Sequence, residues 1–139
     1  MRVALLTNEY PPNVYGGAGV HVEYLSRELA ALEGGAHAID VFSFGEQRET
    51  SGSLTVKGIA PPLGLEAREP RHARLLDALL RDLAMVGAVR EPDVVHCHTW
   101  YTHLAGCLAR PLTGAKLVLT THSLEPHRPW KAEQLGTAY

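Results

Sequence analysis

Short apolar runs alternate with longer segments of helical periodicity along most of the chain. Val3-Ala4-Leu5-Leu6-Thr7 runs into Asn8-Glu9-Tyr10-Pro11-Pro12-Asn13, which reads as a buried strand ending in a loop. Over residues 20–33, Val22, Leu25, Leu29 and Leu32 recur at steps of three and four. That is one apolar helical face, and Gly34-Gly35 supplies its stop. Residues 38–44 and 54–59 read as a second and a third strand, with the polar segment 45–52 as a mobile hairpin-like turn between them. Segment 60–70 is rich in proline and reads as loop. Residues 71–86 give the clearest helix, with Leu76, Leu79, Leu80 and Leu83 on one face and Arg74, Asp77 and Arg81 turned away. Residues 94–98 form a fourth strand. Thr99 is placed to cap the helix after it, whose Leu104, Cys107 and Leu108 face inward. Residues 116–121 read as a fifth, buried strand. A long loop follows from Ser123, then a helix with Pro129 in its first turn.

Strand and helix alternate, which predicts an α/β domain with a mainly parallel sheet covered on both faces. In such sheets ligands sit beyond the carboxyl ends of the strands. The chemically unusual residues fall there. Segment 8–19 follows the first strand, His98-Thr99-Trp100 the fourth, and His122 the fifth. A single site at that end of the sheet is the expectation.

Composition narrows the classes. The 139 residues, 45% hydrophobic and 20% charged, suit one globular domain and exclude a disordered tail or a coiled coil. A formal charge of −2 gives no excess of basic residues for a nucleic-acid partner. No apolar run is long enough for a membrane span. The apolar stretch at the start is too short for a signal peptide, so the expected compartment is the cytoplasm. Two cysteines cannot build a disulfide framework, and Cys97 and Cys107 read as small core residues. Eight histidines are the one compositional oddity.

Gly16-Gly17-Ala18-Gly19 leads from a loop directly into a helix. Amides at a helix start attract anions, and glycine lets a phosphate approach closely. The spacing matches neither the dinucleotide fingerprint nor a Walker A loop, and glycines in turns also serve backbone geometry alone. His96 and His98 share one face of their strand, with His98 at its end. One of them packing in the core with a hydrogen bond is the plain reading. Zinc held by His96, His98 and His122, as in a metal-dependent hydrolase, is the alternative. Against it, Thr99-Trp100 stand where hydrolases place further ligands, and no carboxylate ligand is evident. His122 ends its strand, where a neutral imidazole can bond a sugar hydroxyl or cap a loop carbonyl. A Cys97-histidine nucleophile pair is disfavoured, because an interior strand thiol is poorly exposed.

The ordered segments resemble a known family. Tyr10-Pro11-Pro12 with Tyr15-Gly16-Gly17-Ala18-Gly19-Val20-His21-Val22 resembles the N-terminal loop of bacterial, actinobacterial-type glycogen synthases and related retaining glycosyltransferases. Pro92-Asp93-Val94-Val95-His96-Cys97-His98-Thr99-Trp100 resembles their second signature, and Leu119-Thr120-Thr121-His122-Ser123-Leu124-Glu125-Pro126 their third. Some members of that group make maltose 1-phosphate. The resemblance implies a Rossmann-like three-layer domain, the N-terminal half of a GT-B fold. Residues 1–139 would then be the acceptor-side domain, with the C-terminal nucleotide-sugar domain absent from this chain. It implies retaining transfer of glucose from ADP-glucose to an α-1,4-glucan or to glucose 1-phosphate, with no metal or other cofactor. His122 would be the catalytic group on the donor sugar. Gly16 and Gly17 would bind the donor phosphates. Glu9, Tyr15, His98, Thr99 and Trp100 would lie on the sugar and acceptor side. Thr99 stands where longer glycogen synthases often carry Asp, and Tyr15 where they carry Lys. The isolated domain is expected to fold without turning over substrate. A non-catalytic nucleotide- or glucan-binding module is the rival reading.

Overall fold

Val3 and Leu5 of the first strand, β1 (Arg2–Thr7), pack with Val22, Ile39 and Val41 on one face. Ala4 and Leu6 turn the other way, toward Phe42, Met85, Val95 and Cys97. A strand buried on both faces belongs at the centre of a covered sheet. The computed structural model, which describes residues 1–61 and 65–123, places it there. After β1 come α1 (Gly17–Ala31), β2 (Ala38–Phe44), β3 (Arg48–Ser51), β4 (Leu54–Ile59), α2 (Ala73–Ala88), β5 (Val94–His98), α3 (His103–Thr113) and β6 (Lys116–Thr120). Helix α1 covers one face of the sheet, and α2 and α3 cover the other, giving three layers.

The strand order is β3-β4-β2-β1-β5-β6. Every neighbouring pair is parallel except β3 with β4. The chain first builds outward from β1 through β2, then returns to lay β5 on the other side of β1. The order therefore reverses between β1 and β5, and the crevice beyond their carboxyl ends is the switch point where such sheets bind ligands. Thr102 ties this seam: its buried hydroxyl lies 3.2 Å from the Leu6 carbonyl and 3.1 Å from that of His98.

The main elements lie where the apolar pattern put them, with instructive differences. Segment 45–52 is not simply a turn, because it contains the edge strand β3, paired antiparallel from Arg48↔Lys57 to Ser51↔Leu54. All four β3 residues are exposed, so the strand is held by its ladder and leaves no apolar signature. Its approach crosses Gly58, where a Cβ would sit 2.6 Å from the Gln47 amide nitrogen. In α2 the fully buried positions are Ala78, Asp82 and Met85, whereas Leu83 is exposed and Leu76, Leu79 and Leu80 are half-buried. Arg81 does not turn away. It bonds the Ile59 carbonyl at 2.6 Å and Asp77 at 2.9 Å, and covers the Phe44 ring.

The segment from β5 to β6 corrects three further expectations. Thr99 does not cap it; a 3-10 turn, Trp100–Thr102, intervenes. Its inward positions are Ala105, Gly106 and Ala109, while Leu104 and Cys107 are exposed and Leu108 is half-buried. The helix lies so close to β5 that only small residues fit between them. Strand β6 is an edge rather than a buried strand among the described residues, with Val118 and Leu119 largely exposed. The helix and loop expected over 124–139, with Pro129 and His127, lie outside the described residues.

Asp82 links α2 to α3. It is buried, and its Oδ2 accepts the Ala105 amide at 3.2 Å. That amide lies in the first turn of α3, where the helix offers no acceptor. Burial outweighs this bond and raises the Asp82 carboxyl to about 7. The native state thus holds a proton that the unfolded chain releases near pH 4. The group's contribution to stability is full below about pH 4 and is lost as the pH rises through about 7. Asp82→Asn, neutral throughout, is expected to exceed the parent in stability by about 1–3 kcal/mol near pH 8. Urea titrations at acid and alkaline pH check both that gain and the loss of this slope.

Candidate functional site

The alternation that sends Val95 and Cys97 toward α2 and α3 sends His96 and His98 to the α1 face. His98 thereby reaches His21 of α1. His98 is fully buried, and its ring lies 4.1 Å from that of His96. His96 takes the plain role expected of one histidine, a hydrogen bond between Nε2 and the Thr120 hydroxyl at 2.8 Å across β5 and β6. His98 Nδ1 pairs with His122 Nε2 at 3.0 Å. His21, in the second turn of α1, brings its ring centroid to 5.6 Å from His98 and 5.1 Å from His122.

Burial first, and then mutual repulsion, disfavours charge on His96, His98 and His122. Desolvation is the main cause pushing His98 down to about 3, helped by His96, His122, His21 and His103. Burial also lowers His96 and His122, with His21 adding to both and Glu9 opposing it at His122. The result at neutral pH is a His96-His98-His122 array of uncharged donors and acceptors. Cys97 is no nucleophile here, because burial raises its thiol to about 12.

Two residues at the strand ends are held in strained backbone. Thr99 has φ 66 and ψ 162, a region that glycine alone visits freely. It is pinned there by its amide on the Thr120 carbonyl and its hydroxyl on Asn8 Oδ1, both at 2.8 Å. His122, at φ 57, is the centre of a tight turn in which the Ser123 amide donates to the Thr121 carbonyl at 2.6 Å. This turn aims an exposed His122 back over β5.

The glycine loop closes the other side. Glu9 is nearly buried, and its Oε2 accepts the amides of Gly16 at 2.9 Å and Tyr15 at 3.2 Å. The Gly16 amide, expected to face a donor phosphate, is thus given to a carboxylate of the chain itself. Gly17 opens α1, where first-turn amides lack an acceptor in the helix, and a Cβ there would meet nothing within 4 Å. Gly19 is the tight position, since a Cβ there would sit 2.9 Å from Glu9 Cβ.

The structure brings together Glu9, Gly16, Gly17, His98, Thr99 and His122 at the switch point. Tyr15 contributes its amide, while its side chain is 76% exposed. Trp100 stacks on Tyr101 at 4.1 Å beside the strand end. Sequence reasoning gave no role to His21 or Asn8. The only signal for them was position, one turn into the helix after the glycines and one residue beyond β1.

A three-layer domain with a reversed strand order and this loop-and-histidine crevice matches the N-terminal domain of GT-B glycosyltransferases. Residues 15–139 match Glycosyltransferase Family 4, and the chain belongs to that family. It is 48% identical over its whole length to an alpha-maltose-1-phosphate synthase of Mycolicibacterium smegmatis, of which it covers 33%. It is 32% identical to a glycogen synthase of Mycobacterium tuberculosis, with 98% of this chain and 37% of that protein covered. The chain spans about a third of the length of these curated relatives. In fold it is similar to the sucrose-phosphate synthase of Thermosynechococcus elongatus, with a TM-score of 0.63 at 18% identity, covering 93% of this chain and 35% of that one. The catalytic domain of starch synthase IV from Arabidopsis thaliana, bound to ADP and acarbose, gives a TM-score of 0.61 at 17% identity over 86% of this chain and 33% of that one.

Proposed function

We propose that this chain is the acceptor-side domain of a retaining glucosyltransferase that takes glucose from ADP-glucose. The observation that carries the reading is the hydrogen-bonded His98-His122 pair at the switch point, together with the uncapped first turn of α1. Retaining transfer builds positive charge on the sugar and negative charge on the departing diphosphate. The amide dipoles at the start of α1 favour that anion without any reorganisation. His122 bonds a sugar hydroxyl beside the reacting carbon and adds no positive charge there. Glu9 orders the glycine loop through the Tyr15 and Gly16 amides, so the amide of Gly17 meets a fixed position.

The stronger likeness to maltose-1-phosphate synthase favours glucose 1-phosphate over an α-1,4-glucan as acceptor. A second domain, supplying cations for the donor diphosphate, completes the catalytic unit in this reading, and the cytoplasm is its compartment. Among the described residues no helix is long and apolar enough to cross a membrane. The test incubates the intact protein with ADP-glucose and either glucose 1-phosphate or maltohexaose. ADP release matched by a new disaccharide phosphate, faster than glucan extension, is the expected result. Saturable ADP-glucose binding with no ADP release from either mixture would overturn the reading in favour of a binding module.

A further inference from the structure

His21, His98 and His122 converge from three separate elements: the second turn of α1, the end of β5 and the turn after β6. One ring nitrogen of each lies within 4.8 Å of the other two. We infer that these three imidazoles form a site for a borderline divalent cation of the zinc, cobalt and nickel class, and that its occupation silences sugar transfer.

Zinc bound to histidine nitrogens at the usual length holds them about 3.3 Å apart in a tetrahedron. His98 Nδ1 and His122 Nε2 already stand 3.0 Å apart. His21 must close by about 1.5 Å at most, the difference between 4.8 Å and that tetrahedral spacing. It is exposed and forms no side-chain hydrogen bond among the described residues, so a change of its side-chain rotamer is sufficient. The proton now lying between His98 and His122 moves to the far nitrogen of its own ring. Both facing lone pairs then turn to the metal, and no net proton is released.

An all-imidazole set selects zinc, nickel, cobalt and copper over magnesium or calcium, which prefer oxygen. Three protein ligands leave a fourth position open to water or a ligand. The trio differs from the one that sequence spacing suggested. His96 is excluded because its Nε2 is engaged by the Thr120 hydroxyl, and His21 takes its place. A cation here ties up His122 and fills the space over it, so the expected consequence is inhibition rather than catalysis.

The test titrates the intact, tag-free protein with cobalt(II) and follows the visible absorption of the metal. One equivalent giving the intense bands of a four-coordinate site is expected. His21→Ala, a change at an exposed position, weakens this binding at least tenfold, and His122→Ala does the same. His37→Ala, remote from the crevice and beside Glu33, leaves it unchanged. Micromolar zinc lowers transfer, and a chelator restores it. The inference is overturned if no such bands develop up to millimolar cobalt, or if His21→Ala and His122→Ala titrate like the parent. The spectroscopic readout needs no turnover, so its failure would leave the transferase reading untouched.

Discussion

Replacing His122 by alanine is expected to lower turnover of the intact protein at least a hundredfold, about 2.7 kcal/mol of barrier, and to leave the protein folded. His122 is exposed just beyond β6 and belongs to neither core cluster, so the fold is expected to survive its loss. Its turn is held by the backbone bond from Ser123 to Thr121, which alanine keeps. What alanine loses is the uncharged ring over the crevice and the partner of His98 Nδ1. The loss is expected to fall on kcat more than on KM, because the proposed hydrogen bond to the sugar would matter most as charge develops. His122→Asn, which tolerates the left-handed backbone and keeps a donor, restores part of the rate. Activity of the alanine variant within about tenfold of the parent, some 1.4 kcal/mol, would remove His122 from the chemistry. Circular dichroism and a steady-state assay on the same preparation decide it.

Gly106→Ala is expected to destabilise the domain strongly. A Cβ at this position overlaps Cys97 Sγ and sits 2.8 Å from Leu117 Cδ1. Both Gly106 and Cys97 are buried where α3 presses on β5. The leucine tip can rotate away, but the thiol is fixed on a central strand. Overpacking of this kind costs about 1–3 kcal/mol, which lowers the melting temperature by several degrees in a domain of this size. Cys97→Ala removes the obstructing atom. In that background Gly106→Ala is expected to cost far less than it does alone, a coupling that a double-mutant cycle measures. Simple additivity of the two changes would show that the close approach of α3 to β5 is not what fixes glycine here.

The same contact explains which parts of the fold were legible in the sequence. Strands β1, β2, β4 and β5 announced themselves because their side chains are buried, and burial writes an apolar run. Strand β3 did not, because Arg48–Ser51 joins the sheet through backbone bonds while every side chain faces water. The inner face of α3 was misread for the opposite reason. Leucines mark a helix that stands off from a sheet, but at close range the buried residues are Ala105, Gly106 and Ala109. In α2 a buried Asp82 took a place in the core because Ala105 needed an acceptor, a demand made by a segment far along the chain.

The candidate site was legible by topology. Strand ends at a reversal of strand order collect ligands, and Asn8, His98, Thr99 and His122 all fall at such ends. What local pattern did not reveal was the pairing among them. The bond from the Gly16 amide to Glu9 joins a loop to a strand end, and only the folded path places one against the other. His21 carries no local signal, since an exposed histidine on a helix is ordinary until β5 and β6 bring two more beside it.

The most direct test of the crevice as the sugar-transfer site is a titration of the intact protein, labelled with 15N in its histidines, with ADP-glucose. Imidazole resonances report each ring separately. The account predicts that the His98 and His122 signals shift together and saturate, while those of His37, just before β2 at the amino ends of the strands and beside Glu33, stay in place. Saturable binding of ADP-glucose that leaves His98 and His122 unmoved would place the donor elsewhere and contradict the account.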